Sequence, residues 1–417
     1  MLKSGRATLQ PFTLSADTHL IKTMGNVGGL STSQIPTALQ KTLQHAVDIG
    51  VPGVSAAISN SNGILWQGSA GSSNILKSEP VDANKHIFGV GSITKVFVAV
   101  VTLQLLDENR LSLSDKASSY LPPEILRDIP NASTATLSEL LSHMSGVPSA
   151  EDDPVWIVEG RGRDLDPDKM WTKSETLDYI RHPLSDPSIT PGEFSYSNSG
   201  YTILGLVIEK ITGFTVESEI RRRILKRLGM EDTYMEGFEE AQPERLPHRY
   251  HFATEEFRET AGVCPRFTEP RPGLIDASAS NMSVEWVAGG LISSQKDLLT
   301  FAMALRSGQL LSPEATKLMQ EWKTAEDKVM IGLGLFRIQN EQGMWLGHTG
   351  STLGFTGCFC WAEEADCAIA VLCNVGTMHC GYVPSHATTI ALKTEFSELA
   401  LELASEQSKA SGSREPV

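Results

Sequence analysis

The chain has 417 residues, a formal net charge of −15 and a pI near 5.2, so it lacks the basic stripe that nucleic acid or an anionic membrane surface requires. Its 41% hydrophobic and 20% charged residues are a globular balance, with length enough for one large or two intertwined domains.

The opening "MLKSGRATLQPFTLSADTHL" has no continuous apolar segment and no small-residue cleavage site, and no later run approaches the roughly 20 apolar residues of a membrane span. A soluble, cytoplasmic protein is the expectation, with residues 1–30 as a tail. "IPTALQKTLQHAVDIG" then has helical spacing, and "GVSAAISNSNGILWQGSAG" reads as two strands joined by a turn at Asn62 and Gly63.

From Phe88 to Leu113, "FGVGSITKVFVAVVTLQLLDENRLSL" is a nearly unbroken apolar helix that carries Lys95 three positions after Ser92. A buried ammonium costs several kcal/mol unless it is paired or gives up its proton. One helical turn separates the two residues, so the amine reaches the hydroxyl and can take its proton, the requirement for an activated serine. The alternative is a helix-capping serine with a lysine stretched to solvent. Ser293 and Lys296 repeat the spacing, but "ISSQKDLLTF" reads as a helix start with Ser294 and Asp297 as a capping box, leaving Lys296 solvated.

Helical patterns and polar loops alternate from about Gly91 to Ser280, including the long "SAEDDPVWIVEGRGRDLDPDKMW", whose Trp156 and Trp171 either wall a pocket or pack on the surface of a lid. In "GEFSYSNSGYTILGLVIEKITG", Tyr196 and Asn198 precede an apolar helix. A phenol beside an ammonium loses its proton more readily and serves as a base, and an amide orients the lysine or a carbonyl. A turn with Asn198 or Ser199 as helix cap is the plainer reading.

Downstream, "VMIGLGLFRI", "GMWLGHTG", "GFTGCFCWAEE" and "DCAIAVLCNVG" read as antiparallel strands, and "HATTIALKTEFSELALELASE" as a closing helix. In "LGHTGSTLGF", Gly350 follows His348 on a strand end, where the missing side chain admits a substrate and the Ser351 N–H faces a developing oxyanion. His379-Cys380-Gly381 repeats the spelling in a loop. The predicted organisation is a discontinuous α/β domain, residues 31–90 and 281–405, an antiparallel sheet flanked by N- and C-terminal helices, with a helical domain inserted at 91–280 and a tail at 406–417. No cofactor or metal is expected. His248 and His251 lack the partners of a zinc site, and the six cysteines, Cys358 and Cys360 among them on one strand face, read as buried thiols.

Taken in order, Ser92-x-x-Lys95, Tyr196-x-Asn198 and His348-x-Gly350 resemble the serine β-lactamase-like family of class C β-lactamases, D-alanyl-D-alanine carboxypeptidases, family VIII esterases, D-amino-acid peptidases and some acyltransferases. "LSELLSHMSGVP", "LGMEDTYM" and "VAGGLISSQKDLLTFAMAL" extend the likeness over roughly residues 51–374. The resemblance implies the serine β-lactamase and penicillin-binding-protein fold and an acyl-enzyme: Ser92 as nucleophile, Lys95 and Tyr196 as proton carriers, Asn198 positioning lysine and substrate, and the N–H groups of Ser92 and Ser351 as oxyanion hole. His143 is expected to be structural. Where lactamases carry Lys-Thr-Gly this chain has His348-Thr349-Gly350, and a neutral imidazole anchors a substrate carboxylate less well. The expected substrate is therefore a small ester, lactone or amide. An acyltransferase of the same fold, or a non-catalytic binding protein, is the alternative.

Overall fold

The computed structural model describes residues 30–182, 189–383 and 386–412. The expected N-terminal tail, residue 30 apart, and the last five residues lie outside them. Among the described residues the main sheet has nine strands, all antiparallel, in the order Lys323–Glu326, Val329–Ile331, Phe336–Asn340, Gly343–Thr352, Phe355–Ala362, Ala368–Cys373, Gly53–Asn60, Gly63–Asn74 and Glu79–Pro80. The two ends of the chain meet in its middle, where Val54 pairs with Cys373 and Ile58 with Ile369.

Strands near the sheet centre are buried on both faces, which is why their sequences read as apolar runs rather than as alternation. Along Ala368–Cys373, Ala368, Ala370 and Leu372 join one core while Ile369, Val371 and Cys373 join the other. Cys358 and Cys360 share the second core, and all six cysteines are buried free thiols. That core is closed by the helix Ile35–Asp48, which buries Ile35, Leu39 and Leu43, and by Ala387–Lys393 and Phe396–Gly412. The predicted single closing helix is thus two, separated at Thr394 and Glu395, where the Thr394 hydroxyl turns back to the Ile390 carbonyl and takes the Phe396 N–H. The second of them runs past the expected boundary at 405 to Gly412.

The first core is built around the helix Thr94–Asp107, every residue of which from Thr94 to Leu105 is buried. A helix apolar on all sides belongs in the middle of a domain. Phe97 stacks on Phe301 of the helix Gln295–Arg306, ring centroids 3.8 Å apart, and Phe301 on Phe359 of the sheet. The hairpin turn falls one residue earlier than predicted: Asn60 pairs with Gly63, leaving Ser61 and Asn62 at the tip. Side chains hold it there, since Asp366 accepts from the Ser61 N–H and hydroxyl and Asn60 Oδ1 accepts from the Asn62 N–H.

The region between Gly91 and Ser280 is less purely helical than expected. Tyr250–Phe252, Leu274–Asp276 and Thr268–Arg271 join Val375–Gly376 in a four-stranded sheet, and Leu291–Ser293 lies between Phe88–Gly89 and Tyr234–Met235 in a three-stranded one. The segment read as a long polar loop contains the helix Pro154–Arg161, started by Asp153, whose carboxylate takes the Val155 and Trp156 N–H groups. Trp156 and Trp171 are both buried, so neither is a surface ring of a lid. No helix of the described residues is long and apolar enough to cross a membrane.

Candidate active site

Gly91, at φ +56°, turns the chain into a short 3₁₀ turn, Gly91–Ile93, that runs directly into the helix Thr94–Asp107. That continuity puts Ser92 and Lys95 on one face. Lys95 Nζ donates to Ser92 Oγ at 3.0 Å and to the Ala288 carbonyl at 2.6 Å. Ser92 is partly exposed, whereas Lys95 is wholly buried, which rules out the solvent-seeking lysine. Burial pulls the Lys95 pKa down to about 7, against the opposing pull of the Glu151 and Glu285 carboxylates. Near neutrality the amine form is therefore substantially populated.

The second wall is the turn before the helix Asn198–Thr212. Ser197 is its cap, taking the Gly200 N–H, so neither Asn198 nor Ser199 serves there. Residues after the helix Leu137–Leu141 clasp this turn: His143 Nδ1 accepts the Ser197 N–H at 3.1 Å, Ser149 Oγ accepts the Asn198 N–H at 3.2 Å, and the Ser197 hydroxyl donates to the Pro148 carbonyl. The Tyr196 ring lies between the His143 imidazole, with centroids 4.1 Å apart, and Lys95 Nζ, 4.9 Å from its centroid.

The expectation that the ammonium eases the Tyr196 proton is not met. Burial pushes its pKa well above the ordinary phenol value; the approach of Ser92 favours ionisation but does not win. The Tyr196 hydroxyl makes no hydrogen bond of normal geometry, and neither does Asn198 Oδ1 or His143 Nε2, although all three atoms are buried. Buried polar atoms without partners are uncommon, and these three belong to the turn that carries Tyr196 and to the histidine that clasps it.

The third wall is the strand Gly343–Thr352, which passes the 3₁₀ turn at backbone distance. A β-carbon on Gly350 would lie 1.9 Å from the Val90 carbonyl oxygen and 2.9 Å from the Ser92 nitrogen, and one on Gly91 would lie 2.6 Å from the Ser351 nitrogen. Glycine at both positions lets the strand and the turn approach closely, with the Ser92 and Ser351 nitrogens at the contact. His348 is fully buried, its ring edge-on to Phe336 at 4.9 Å and 6.5 Å from Tyr196. Burial, with Lys95 nearby, lowers its pKa to about 3, so the imidazole is neutral.

The structure thus brings Ser92, Lys95, Tyr196, Asn198, His348, Gly350 and Ser351 together. The second Ser-x-x-Lys lies apart from them. Ser293 is buried on a strand against Thr233, Ser294 caps its helix by taking the Asp297 N–H, and Lys296 is exposed. What the sequence pattern did not indicate is Ala288, whose carbonyl holds Lys95, and the buried cluster of Arg161, Glu151 and Glu285 next to it. A main-chain carbonyl has no sequence signal, and isolated charges in polar loops look solvated. Among the described residues no group of His, Cys, Asp or Glu side chains is arranged to hold a metal ion.

An antiparallel sheet covered by terminal helices, with a partly exposed serine bonded to a buried lysine at the head of a central helix, is the architecture of serine β-lactamases and penicillin-binding proteins. The chain belongs to the β-lactamase family, whose model matches residues 39–381. It is 29% identical over 193 residues to a Bacillus subtilis (strain 168) protein provisionally named penicillin-binding protein PbpX, covering 46% of this chain and 43%, less than half, of that relative. Two solved structures match over most of their length. The D-stereospecific amidohydrolase from Streptomyces sp. has a TM-score of 0.71 and 29% identity, over 82% of this chain and 94% of that one. The D-amino acid amidase from Ochrobactrum anthropi SV3 in complex with D-phenylalanine has a TM-score of 0.76 and 25% identity, over 90% and 99%. Family and structural neighbours are serine hydrolases of the β-lactamase fold.

Proposed function

We propose that the chain is a serine hydrolase that opens a small-molecule ester or amide through an acyl-enzyme on Ser92. The observation that carries this reading is the Lys95 amine, shut off from water and 3.0 Å from the Ser92 hydroxyl. As Ser92 Oγ bonds to the substrate carbonyl carbon, its proton passes to the Lys95 amine and the carbonyl electron pair moves onto oxygen, facing the N–H groups of Ser92 and Ser351. Collapse of this adduct breaks the bond to the leaving group, which takes the Tyr196 phenol proton; the Lys95 ammonium restores that proton. Water then enters by the same sequence in reverse and frees the acid. In this reading the Asn198 amide, whose Oδ1 is buried without a partner, hydrogen-bonds the polar part of the acyl group.

Neutral His348 offers no ammonium to a substrate carboxylate, so the acyl donors that suit the site are those without an obligatory carboxylate, esters and the amides that solved relatives are named for. The test is intact-protein mass spectrometry after incubation with activated esters, D-amino-acid amides and β-lactams. An acyl adduct mapped to Ser92 and lost in Ser92→Ala is expected. Adducts elsewhere, or turnover that survives Ser92→Ala, would overturn the reading.

A further inference from the structure

The Ala288 carbonyl that holds Lys95 belongs to the short helical turn Trp286–Gly289, which opens on a backbone outlier: Trp286 has φ +37°. A bulky residue occupies that left-handed range only where its surroundings force it, and such strain clusters at functional sites. The forces are identifiable here. The indole is 2% exposed, and its N–H donates to Glu217 Oε1 at 2.8 Å. Lys173 clamps the same carboxylate at 2.9 Å, pairs with Glu209 at 2.6 Å, and lies 5.0 Å from the indole centroid. On another side the ring rests on the helix Asn198–Thr212, where a β-carbon on Gly205 would come within 2.7 Å of it.

The turn is tied at both ends as well. Before it, Glu285 is ion-paired with the buried Arg161. After it, the Gly290 N–H closes on the Trp286 carbonyl at 2.6 Å, and the Leu291 N–H donates to the hydroxyl of Thr94, the residue next to Lys95. What the turn gives to the site is the Ala288 carbonyl, 2.6 Å from Lys95 Nζ. Nζ is fixed between that carbonyl and Ser92 Oγ, so the carbonyl decides where the amine points.

We propose that Trp286 is a positioning residue for Lys95: its indole, pinned by Glu217 and Lys173, holds the turn in its strained form and thereby sets the Ala288 carbonyl against the lysine. A relaxed turn would withdraw the carbonyl and leave the amine free to swing away from Ser92. The inference rests on the reading of Lys95 as proton acceptor and adds to it the part that aims the acceptor.

Two substitutions loosen the indole from opposite ends. Trp286→Phe keeps a ring and gives up the N–H, and Glu217→Ala removes the acceptor. Glu217→Gln leaves an oxygen for the indole and should behave as the native protein does. The first readout is the Lys95 resonance in intact protein carrying ¹³Cε-labelled lysine, assigned by its loss in Lys95→Arg. A carbonyl acceptor favours the ammonium, so both loosening substitutions should lower the Lys95 midpoint by about one unit. Glu151, Glu285, Tyr196, Tyr201, His143 and His348, the titratable groups that act on Lys95 from the surrounding elements, are left in place. The second readout is the burst rate of Ser92 acylation by a p-nitrophenyl ester, taken well above neutral pH where the amine is unprotonated in every variant. It should fall by roughly tenfold or more in both loosened proteins and recover in Glu217→Gln. A midpoint that is unchanged, or raised as water entry would raise it, overturns the inference; if one substitution fails to fold, the other decides. A midpoint that falls while the acylation rate holds upholds the placing of Lys95 by Trp286 and overturns the reading of Lys95 as acceptor.

Discussion

The imidazole of His143 lies against the phenol ring of Tyr196, centroids 4.1 Å and planes 27° apart, and its Nδ1 accepts the N–H of the next residue, Ser197. Ring and acceptor together fix the turn that carries Tyr196 and Asn198. Replacing His143 with Leu leaves a buried N–H without a partner, a cost of about 1–3 kcal/mol, and releases the phenol. We expect kcat to fall by roughly tenfold or more. Because burial holds His143 neutral far below its ordinary value, the pH midpoint of the remaining activity should stay where it is. A moved midpoint would make His143 a titrating member of the site.

The paired Ser-x-x-Lys motifs provide an internal control. Ser92→Ala should abolish turnover and labelling by an active-site-directed phosphonate. Ser293→Ala should keep both, and lose only about 1 kcal/mol of stability with its buried hydrogen bond to Thr233. Labelling of Ser293, read by peptide mapping, would reverse the assignment.

Lys95 should be required for activity while lowering stability. Lys95→Arg should lose activity by about 10²-fold or more, since a guanidinium does not give up its proton. In the native enzyme kcat/KM should decline as pH drops below about 7, where the amine is protonated. The folded-state pKa lies below the ordinary 10.5, so between about 7 and 10.5 the unfolded chain binds more protons than the native one and stability rises with pH. Lys95→Met, which removes the buried charge, should therefore be the more stable protein in urea at pH 7, with an advantage that shrinks towards pH 10. An advantage that is constant with pH would mean that burial does not shift this lysine.

Gly350→Ala should be far more damaging than a methyl group suggests, because the new carbon would fall 1.9 Å from the Val90 carbonyl oxygen. Strand and 3₁₀ turn must part, and the amides of Ser92 and Ser351 part with them. A loss of roughly 10²-fold in kcat, as for one lost oxyanion donor, is the expected result. Retained kcat with a raised KM would show that the strand binds substrate and takes no part in stabilising the oxyanion.

At position 348 the measured quantity is a ratio. A neutral imidazole forgoes a charge-assisted hydrogen bond of about 1.5–3 kcal/mol, so a penicillin should lose one to two decades of kcat/KM relative to an enzyme with an ammonium there, and a neutral p-nitrophenyl ester little. His348→Lys should shift the ratio towards the penicillin, and it should also destabilise the fold by burying a second ammonium near Lys95. Efficient penicillin hydrolysis by the native protein, unmoved by the substitution, would remove His348 from the carboxylate-binding position.

Much of the site was legible because its chemistry follows local rules. Ser92 and Lys95 are one helical turn apart, Tyr196 and Asn198 share one turn, and His348 to Ser351 form one strand. The bonds between these pieces were not legible. Ala288 acts through its main chain, and Glu151, Arg161 and Glu285 meet across 134 positions of sequence, each looking like an ordinary surface charge. The same limit applied to the fold. The long strands Gly343–Thr352 and Phe355–Ala362 announce themselves, whereas segments of three or four residues such as Tyr250–Phe252 and Thr268–Arg271 are too short for a period to show. The break at Thr394 has neither proline nor glycine to mark it.

The pairing of Val54 with Cys373 has a bearing on how the chain is made. A ribosome delivers Ser92 and Lys95 well before the strand Gly343–Thr352 that passes beside them, and before Phe355–Ala362 and Ala368–Cys373, which link that strand to the first hairpin. Until then the Ser351 amide is missing from beside the turn at Ser92, and the lysine lacks part of the dry interior that depresses its proton affinity. A nascent or truncated chain that stops before residue 343 is therefore expected to leave Ser92 unlabelled by an active-site-directed phosphonate, because the surroundings of this serine are drawn from segments far downstream of it.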